Sequence, residues 1–356
     1  MLCARPDLYF NFEALKMTVS IWTGLRTITT MRDFTVLVLE GAYSTSVAVT
    51  LDMLSAAAIL APRIGVAPPK WNVCSVDGGS TALQGGISVD TVRLPRPSRP
   101  DASVWIVPGL GLDRPSAITR RFGLADASRA IEALRKHARA GGPVAASCSA
   151  VFLLQAAGLL KGKRVTTSWW LAPELKRIEP DCHVDSDRMV CADGPIVTAG
   201  AAFAQADLML HLLRTLCGSA LADAVSRVLL FDGRQAQAPF IIPEAFSNGD
   251  DLIGRLAARI EAALPDLPRV GELAQEFCMS ERTLSRRIKR ATGKSTSALL
   301  QSVRQRRARA LLESSRMTVE QVAVAVGYQD ATALRRLMRK VAGANPSRFR
   351  PAVAGT

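Results

Sequence analysis

The most constraining feature of this chain is a repeat near its C-terminal end. LSRRIKRATG, from Leu284 to Gly293, lies over LRRLMRKVAG, from Leu334 to Gly343, with leucine, arginine and glycine recurring at an offset of 50 residues. Upstream, VGELAQEFCMSERTL and VEQVAVAVGYQDATAL each place an alanine, Ala274 or Ala323, on the inner face of a short amphipathic helix, followed by a turn and a second helix; here the offset is 49. A repeat of this kind is one supersecondary unit that cannot bury its apolar face alone, and each copy reads as helix-turn-helix. Ser280 and Asp330 read as caps of the second helices, and Gly327 suits a left-handed turn. Leu284, Ile288, Leu334 and Met338 then face a core. That leaves Arg282, Thr283, Ser285, Arg286 and Lys289 outward on one helix, and Thr332, Arg335, Arg336 and Arg339 outward on the other. Between the copies, Thr296 to Ser314 has helical periodicity. At 1.5 Å per residue such a helix spans roughly 28 Å, close to one DNA turn of about 34 Å, so it can hold two recognition helices in successive major grooves.

Charge points the same way. The 356-residue chain carries a net charge of +14, and from Pro268 to Thr356 eighteen Lys or Arg face six Asp or Glu, an excess of +12. Cations concentrated this way are the footprint of a polyanion, because each one set against a phosphate releases condensed counterions. The length predicts two domains with separate cores. Seven scattered cysteines, none in a CxxC pair, argue against both a disulfide framework and a zinc site, and they fit a reducing cytoplasm. No run approaches the ~20 apolar residues of a membrane span, so no membrane partner is expected. No metal or cofactor is expected either. Residues 1–30 lack periodicity and read as a leader, disordered or not translated, with Met17 and Met31 as later starts.

The first two hundred residues read differently. FTVLVLEG, WNVCSV, SVWIVPG and PVAASC are strand candidates separated by helical stretches, such as the one from about Thr45 to Leu60 and DASRAIEALRKHARAGG. This alternation predicts a doubly wound α/β layer whose ligands bind at the carboxyl ends of the strands. Three turns converge there: Gly41 to Ser46, Pro108 to Gly111, and Cys148 at the junction with an apolar helix from about Ala150 to Ala157. At a helix start the Cys148 thiol should have a lowered pKa. Asp52, on the first helix, is a candidate to hold a cation or a structural network.

The C-terminal hundred residues resemble the AraC/XylS family of transcription regulators, down to GYQDATALRRLMRKVAGANPSRFR, in which Gly343, Pro346, Phe349 and Arg350 match the closing pattern; aliphatics at Ala333, Leu337 and Met338 replace the family's common aromatics. The resemblance implies base-edge contacts at Arg282, Thr283, Ser285, Arg286, Thr332, Arg335 and Arg336, with Lys289, Arg339 and Lys340 placed for phosphate. From about Asp33 to Gly218 the motifs VLVLEG, VWIVPGLG, ASCSAVFLLQAAGLLKGKRVTTSWW and VTAGAAFAQADLMLHLL resemble the PfpI-type branch of the class I glutamine amidotransferase-like superfamily, a flavodoxin-like fold. The two together are the layout of GlxA-type transcription regulators. Active members of the superfamily set an acid on the first loop and a histidine about twenty residues beyond the cysteine; here Ser46 and Ser168 occupy those places. None of the three histidines, His137, His183 and His211, has the required spacing.

The implied molecule is a non-catalytic sensor whose site, formed by Ser46, Gly109, Ser147, Cys148, Ser149, Ser168 and Trp169, binds a small polar, nitrogenous metabolite: by family precedent an amine, amino acid or betaine. Its expected partners are double-stranded DNA at a promoter or operator, a second copy of the chain and, for an activator, RNA polymerase. Its expected divisions are the leader at 1–30, the sensing domain at 31–230, a linker at 231–250 and the DNA-binding domain at 251–356. The alternative is a cysteine-dependent hydrolase, amidase or glyoxalase-like enzyme fused to a DNA-binding domain; a third reading makes Cys148 an oxidation sensor.

Overall fold

The computed structural model describes residues 33–94, 103–234, 237, 252–292, 295–342 and 345–346, so the leader and most of the expected linker lie outside the described residues. The N-terminal half runs β1 (Phe34–Leu37), α1 (Ser44–Ile64), β2 (Trp71–Ser75), β3 (Gly79–Ala82), β4 (Ser88–Arg93), β5 (Val104–Val107), α2 (Pro115–Phe122), α3 (Ala125–Arg139), β6 (Val144–Ser147), α4 (Val151–Ala156), β7 (Arg164–Val165), α5 (Ala172–Ile178), β8 (His183–Val184), β9 (Val190–Asp193), β10 (Ile196–Ala199), α6 (Ala204–Leu216) and α7 (Ser219–Val228). All four expected strands are present as β1, β2, β5 and β6.

Eight strands form one sheet in the order β3-β4-β2-β1-β5-β6-β10-β9. The six inner strands are parallel, whereas β3 and β9 pair antiparallel at the two edges, which makes the sheet mixed. Every residue of β1, β5, β6 and β10 is buried, as helices on both faces of a parallel sheet require. The edge strands read GSTA and VCAD and carry no such apolar run.

Helix α1 extends over 21 residues, beyond the stretch expected from the sequence, and it is long and apolar enough to cross a membrane by length and composition. It is instead a core helix here: Val47, Met53, Leu54, Ala57 and Ala61 are buried, and it packs against α6 and α7. Its apolar character comes from the core it serves.

The C-terminal half is helical: α8 (Leu252–Ala262), α9 (Val270–Glu276), α10 (Glu281–Thr292), α11 (Thr296–Ser314), α12 (Val319–Ala325) and α13 (Ala331–Ala342). It has two small cores. One joins Ile253, Leu256 and Ile260 of α8 with Leu273, Leu284, Ile288, Leu299 and Val303; the other joins Ala308 and Leu312 with Val322, Val326, Leu334 and Met338. Helix α11 therefore supplies one end to each core, the rigid connector that its periodicity predicts. The turns are built alike. Cys278 has φ 54° where its repeat partner Gly327 has φ 81°, so the first copy holds with a side chain a left-handed conformation that glycine adopts freely in the second. Ser280 Oγ accepts from the Thr283 amide at 3.2 Å, and Asp330 Oδ1 accepts from the Ala333 amide at 2.9 Å. Both are the expected caps.

Candidate functional site

The three turns do converge. The Tyr43 amide donates to Gly109 O at 2.8 Å and the Gly111 amide to Gly41 O at 3.3 Å, which joins the first two loops. Cys148 closes the third side. It comes directly after β6 and has φ 55°, a left-handed conformation that costs a non-glycine residue about 1–3 kcal/mol and persists only where its surroundings over-determine it. Here three groups do so. The Cys148 amide donates to Gly200 O at 2.7 Å, the Thr167 hydroxyl donates to Cys148 O at 2.7 Å, and the Ser168 hydroxyl donates to Cys148 Sγ at 3.0 Å. Gly109 allows the close approach: a Cβ there would lie 2.8 Å from that of Cys148 and 3.2 Å from Ser147 Oγ.

All seven residues expected in the ligand site, Ser46, Gly109, Ser147, Cys148, Ser149, Ser168 and Trp169, are at or beside this elbow, and Ser46, Ser147, Cys148, Ser149 and Ser168 are fully buried. Trp169 is buried edge-on to Trp170, ring centroids 5.5 Å apart. The site is neutral. Asp52, considered as a cation holder, is exposed on α1. No three His, Cys, Asp or Glu side chains gather for a metal among the described residues.

Two expectations about the thiol fail. Its amide is spent on Gly200 O, and α4 is a six-residue helix that begins only after a tight turn at Cys148–Ala150, so the positive end of a helix dipole is not focused on the sulfur. Burial pushes the Cys148 thiol above the ordinary cysteine range, and hydrogen bonds from Ser168 and Ser149 offset only part of that. A thiol raised by burial speaks against a thiolate oxidation sensor. Nor is a base at hand among the histidines. His137 stacks on Trp105 at 4.5 Å, His183 is exposed on β8, and His211 is half-buried on α6. Acyl transfer through Cys148 finds no activating histidine among the described residues.

The structure adds four residues that the sequence pattern does not reveal. Tyr43 sits in the first loop within electrostatic reach of Cys148, and burial raises its phenol above the usual tyrosine range. The Thr50 hydroxyl donates to Ser46 O at 2.7 Å and accepts from Gln205 Nε2 at 2.8 Å. Because the Thr50 proton is committed, the orientation of the Gln205 amide is set, and its Oε1 is a buried acceptor without a partner among the described residues. Ser147 Oγ is likewise buried and unpartnered. Gln237 docks against Thr166 and Thr167 from the segment beyond α7. The contacts of Gln205 and Gln237 link residues 155 and 71 positions apart, so no local spacing could disclose them.

On the basic half, Leu284, Ile288, Leu334 and Met338 are fully buried as expected. Arg282, Arg286 and Lys289 on α10 and Thr332, Arg336 and Arg339 on α13 are exposed. Ser285 departs from the expected outward face: it is half-buried, with its hydroxyl 3.1 Å from that of Thr296 at the start of α11. Thr283 is half-buried beside its cap, accepting a hydrogen bond from Ser280 Oγ at 2.9 Å. Arg335 donates to Glu320 at 3.0 Å and Arg339 to Asn345 at 2.6 Å, so DNA would have to draw both away from protein partners. The side chain of Lys340 lies outside the described residues, as do Gly343, Phe349 and Arg350.

Comparison with known proteins agrees with both halves. Residues 120–215 match the DJ-1/PfpI family, and residues 273–352 match a helix-turn-helix domain. The HTH-type transcriptional regulator CdhR of Pseudomonas aeruginosa is 26% identical over 288 residues, 79% of this chain and 81% of that protein. The HTH-type transcriptional regulator GlxA of Rhizobium meliloti is 27% identical over 307 residues, 84% and 90% of the two chains. Protein DJ-1alpha of Drosophila melanogaster is 31% identical over 134 residues, 38% of this chain and 57% of that protein.

Proposed function

We infer that this chain, a DJ-1/PfpI domain followed by an AraC-type helix-turn-helix domain in the layout of GlxA-type regulators, is a ligand-responsive DNA-binding transcription regulator and not an enzyme. One observation carries the reading. The exposed arginines stand on two repeated helices tied through a single connector, while the elbow that would do chemistry in an enzyme is neutral, buried and without a base.

Arg282, Arg286 and Arg336 are assigned to base edges and Lys289 and Arg339 to phosphates; Thr283, Ser285, Thr332 and Arg335 border them and Lys340 extends the phosphate side. The sensing domain spans 31–230, the linker 231–250 and the DNA-binding domain 251–356. The effector is a small polar metabolite at Ser46, Gly109, Ser147, Cys148, Ser149, Ser168 and Trp169. A buried polar group left unpaired costs free energy. The open acceptor of Gln205 and the open hydroxyl of Ser147 therefore favour an effector that brings N–H or O–H donors, as a nitrogenous metabolite does. Binding shifts the freedom of the DNA-binding half by at most the effector's differential affinity for two states. The protein acts in the cytoplasm as a homodimer and as an activator that contacts RNA polymerase.

The test is a thermal-shift screen of the full chain against small amines, amino acids and betaines. A ligand at 100 times its dissociation constant adds about 2.7 kcal/mol of stability. The reading predicts a hit whose effect is lost in Ser147→Ala and Gln205→Leu and which alters binding to duplex DNA. A hit equally strong in both variants would place the effector elsewhere, and turnover of the hit would restore the enzyme reading.

A further inference from the structure

Beyond Phe231, Arg234 and Gln237 are held against the N-terminal half by different chemistry. Arg234 is held by charge: its amide reaches Asp207 Oδ1 at 2.6 Å and its guanidinium reaches Asp207 Oδ2 at 2.7 Å. Gln237 is held by neutral hydrogen bonds alone, and it is 2% exposed. Its Nε2 donates to Thr167 O and Arg188 O, each at 3.0 Å, and to Thr166 Oγ1 at 3.1 Å. Its Oε1 accepts from the Ala201 amide at 3.1 Å, and its own amide donates to Asp187 O at 2.8 Å. The notch exists because residue 200 is glycine: a Cβ there would lie 2.2 Å from the Gln237 amide group.

Of the three loops that Gln237 binds, at Thr166–Thr167, Ser186–Arg188 and Ala201, the first and the last clamp the elbow. Thr167, whose carbonyl Gln237 caps, gives its hydroxyl to Cys148 O. Gly200, next to the Ala201 amide that Gln237 accepts from, takes the Cys148 amide. We propose that Gln237 is a positioning residue of the elbow site: it acts through Thr167 and the Gly200–Ala201 turn to hold Cys148, and its release and the disturbance of the elbow are one linked event. The proposal rests on the reading of the elbow as the effector site. It adds how occupancy reaches the segment that leads to the DNA-binding half. The Asp207–Arg234 ion pair keeps Arg234 attached while the neutral amide of Gln237 lets go. Coupling between two sites is reciprocal, so each direction has its own readout, and neither needs the effector or an operator.

The experiment measures native-state alkylation by iodoacetamide on the full chain, cysteine by cysteine, by peptide mass spectrometry, together with hydrogen exchange. In Gln237→Ala and in Gly200→Ala, which expels the same amide from the opposite side, Cys148 should react roughly tenfold faster, a factor within the usual range of site coupling. Cys217, buried at the end of α6, should not change. In wild-type protein, carbamidomethylation of Cys148 should speed exchange at the Gln237 amide by a similar factor. Cys148 reactivity within twofold of wild type in both variants would overturn the proposal. So would a parallel rise at Cys217, which signals general loosening, or unchanged exchange at Gln237 after alkylation. Loss of DNA binding leaves these readouts untouched, so failure of the regulator reading and failure of this proposal are distinguishable.

Discussion

The elbow and the recognition helices bury opposite things. At the elbow five small polar side chains are withdrawn from solvent, and hydrogen bonds between segments far apart in the chain hold the loops that carry them. On α10 and α13 the apolar side chains are withdrawn, and the arginines stand outside at helical spacing. The difference teaches where each kind of function is encoded. A surface suited to a polyanion is a local pattern of residues, repeated and charged, whereas a buried polar junction is a property of packing between distant segments.

The comparison is broken most severely through the cores. Leu284→Ala and Leu334→Ala each remove a fully buried leucine and should cost about 2–5 kcal/mol, measured as the loss of a helical denaturant transition. Alkylation of Cys148 should stay at the wild-type rate, because the elbow draws on another core. Next come the exposed arginines. Arg286→Ala and Arg336→Ala should each weaken specific DNA binding by about 1–3 kcal/mol with no change in melting temperature, as anisotropy and calorimetry would read. Asp330→Ala removes the cap of α13 and should cost about 1 kcal/mol of stability, seen as a small shift of the same denaturant midpoint. Lys289→Ala should lower the salt dependence of DNA binding by about one unit of slope and leave sequence preference intact.

The mildest test alters only pH. Because burial raises the Cys148 thiol, its neutral form is favoured in the fold and the reactive thiolate appears only above the usual cysteine range. Alkylation of Cys148 should therefore remain slow through pH 7–8 and accelerate as pH rises further. A Cys148 rate that levels off near neutral pH would mean an activated thiolate and would restore the enzyme and redox readings.

The helix-turn-helix copies were legible because their determinants lie within a few turns of one another: Leu284 with Ile288, Asp330 with Ala333, and the 19 residues of α11 that appear at the expected bounds. The elbow was legible in membership, since the small residues around Cys148 mark a tight junction, but not in electrostatics. A raised thiol is the consequence of complete burial by three loops, which no window of sequence contains. Gln205 and Gln237 escaped for the same reason. The antiparallel edges β3 and β9 escaped because short, half-exposed strands carry little apolar signal. Helix α1 was legible as one helix, and the expected stretch stops short only at the C-terminal end, about Leu60 against Ile64.

The central claim, two recognition helices on one connector, is tested most directly by selecting bound sequences from a random duplex library with the full chain, then repeating the selection with Arg286→Ala and Arg336→Ala. The account predicts a site with two conserved blocks about one helical turn, roughly 10 base pairs, apart within each half-site, and each variant should erase one block and keep the other. A single block, the same block lost in both variants, or no enrichment at moderate salt would contradict it.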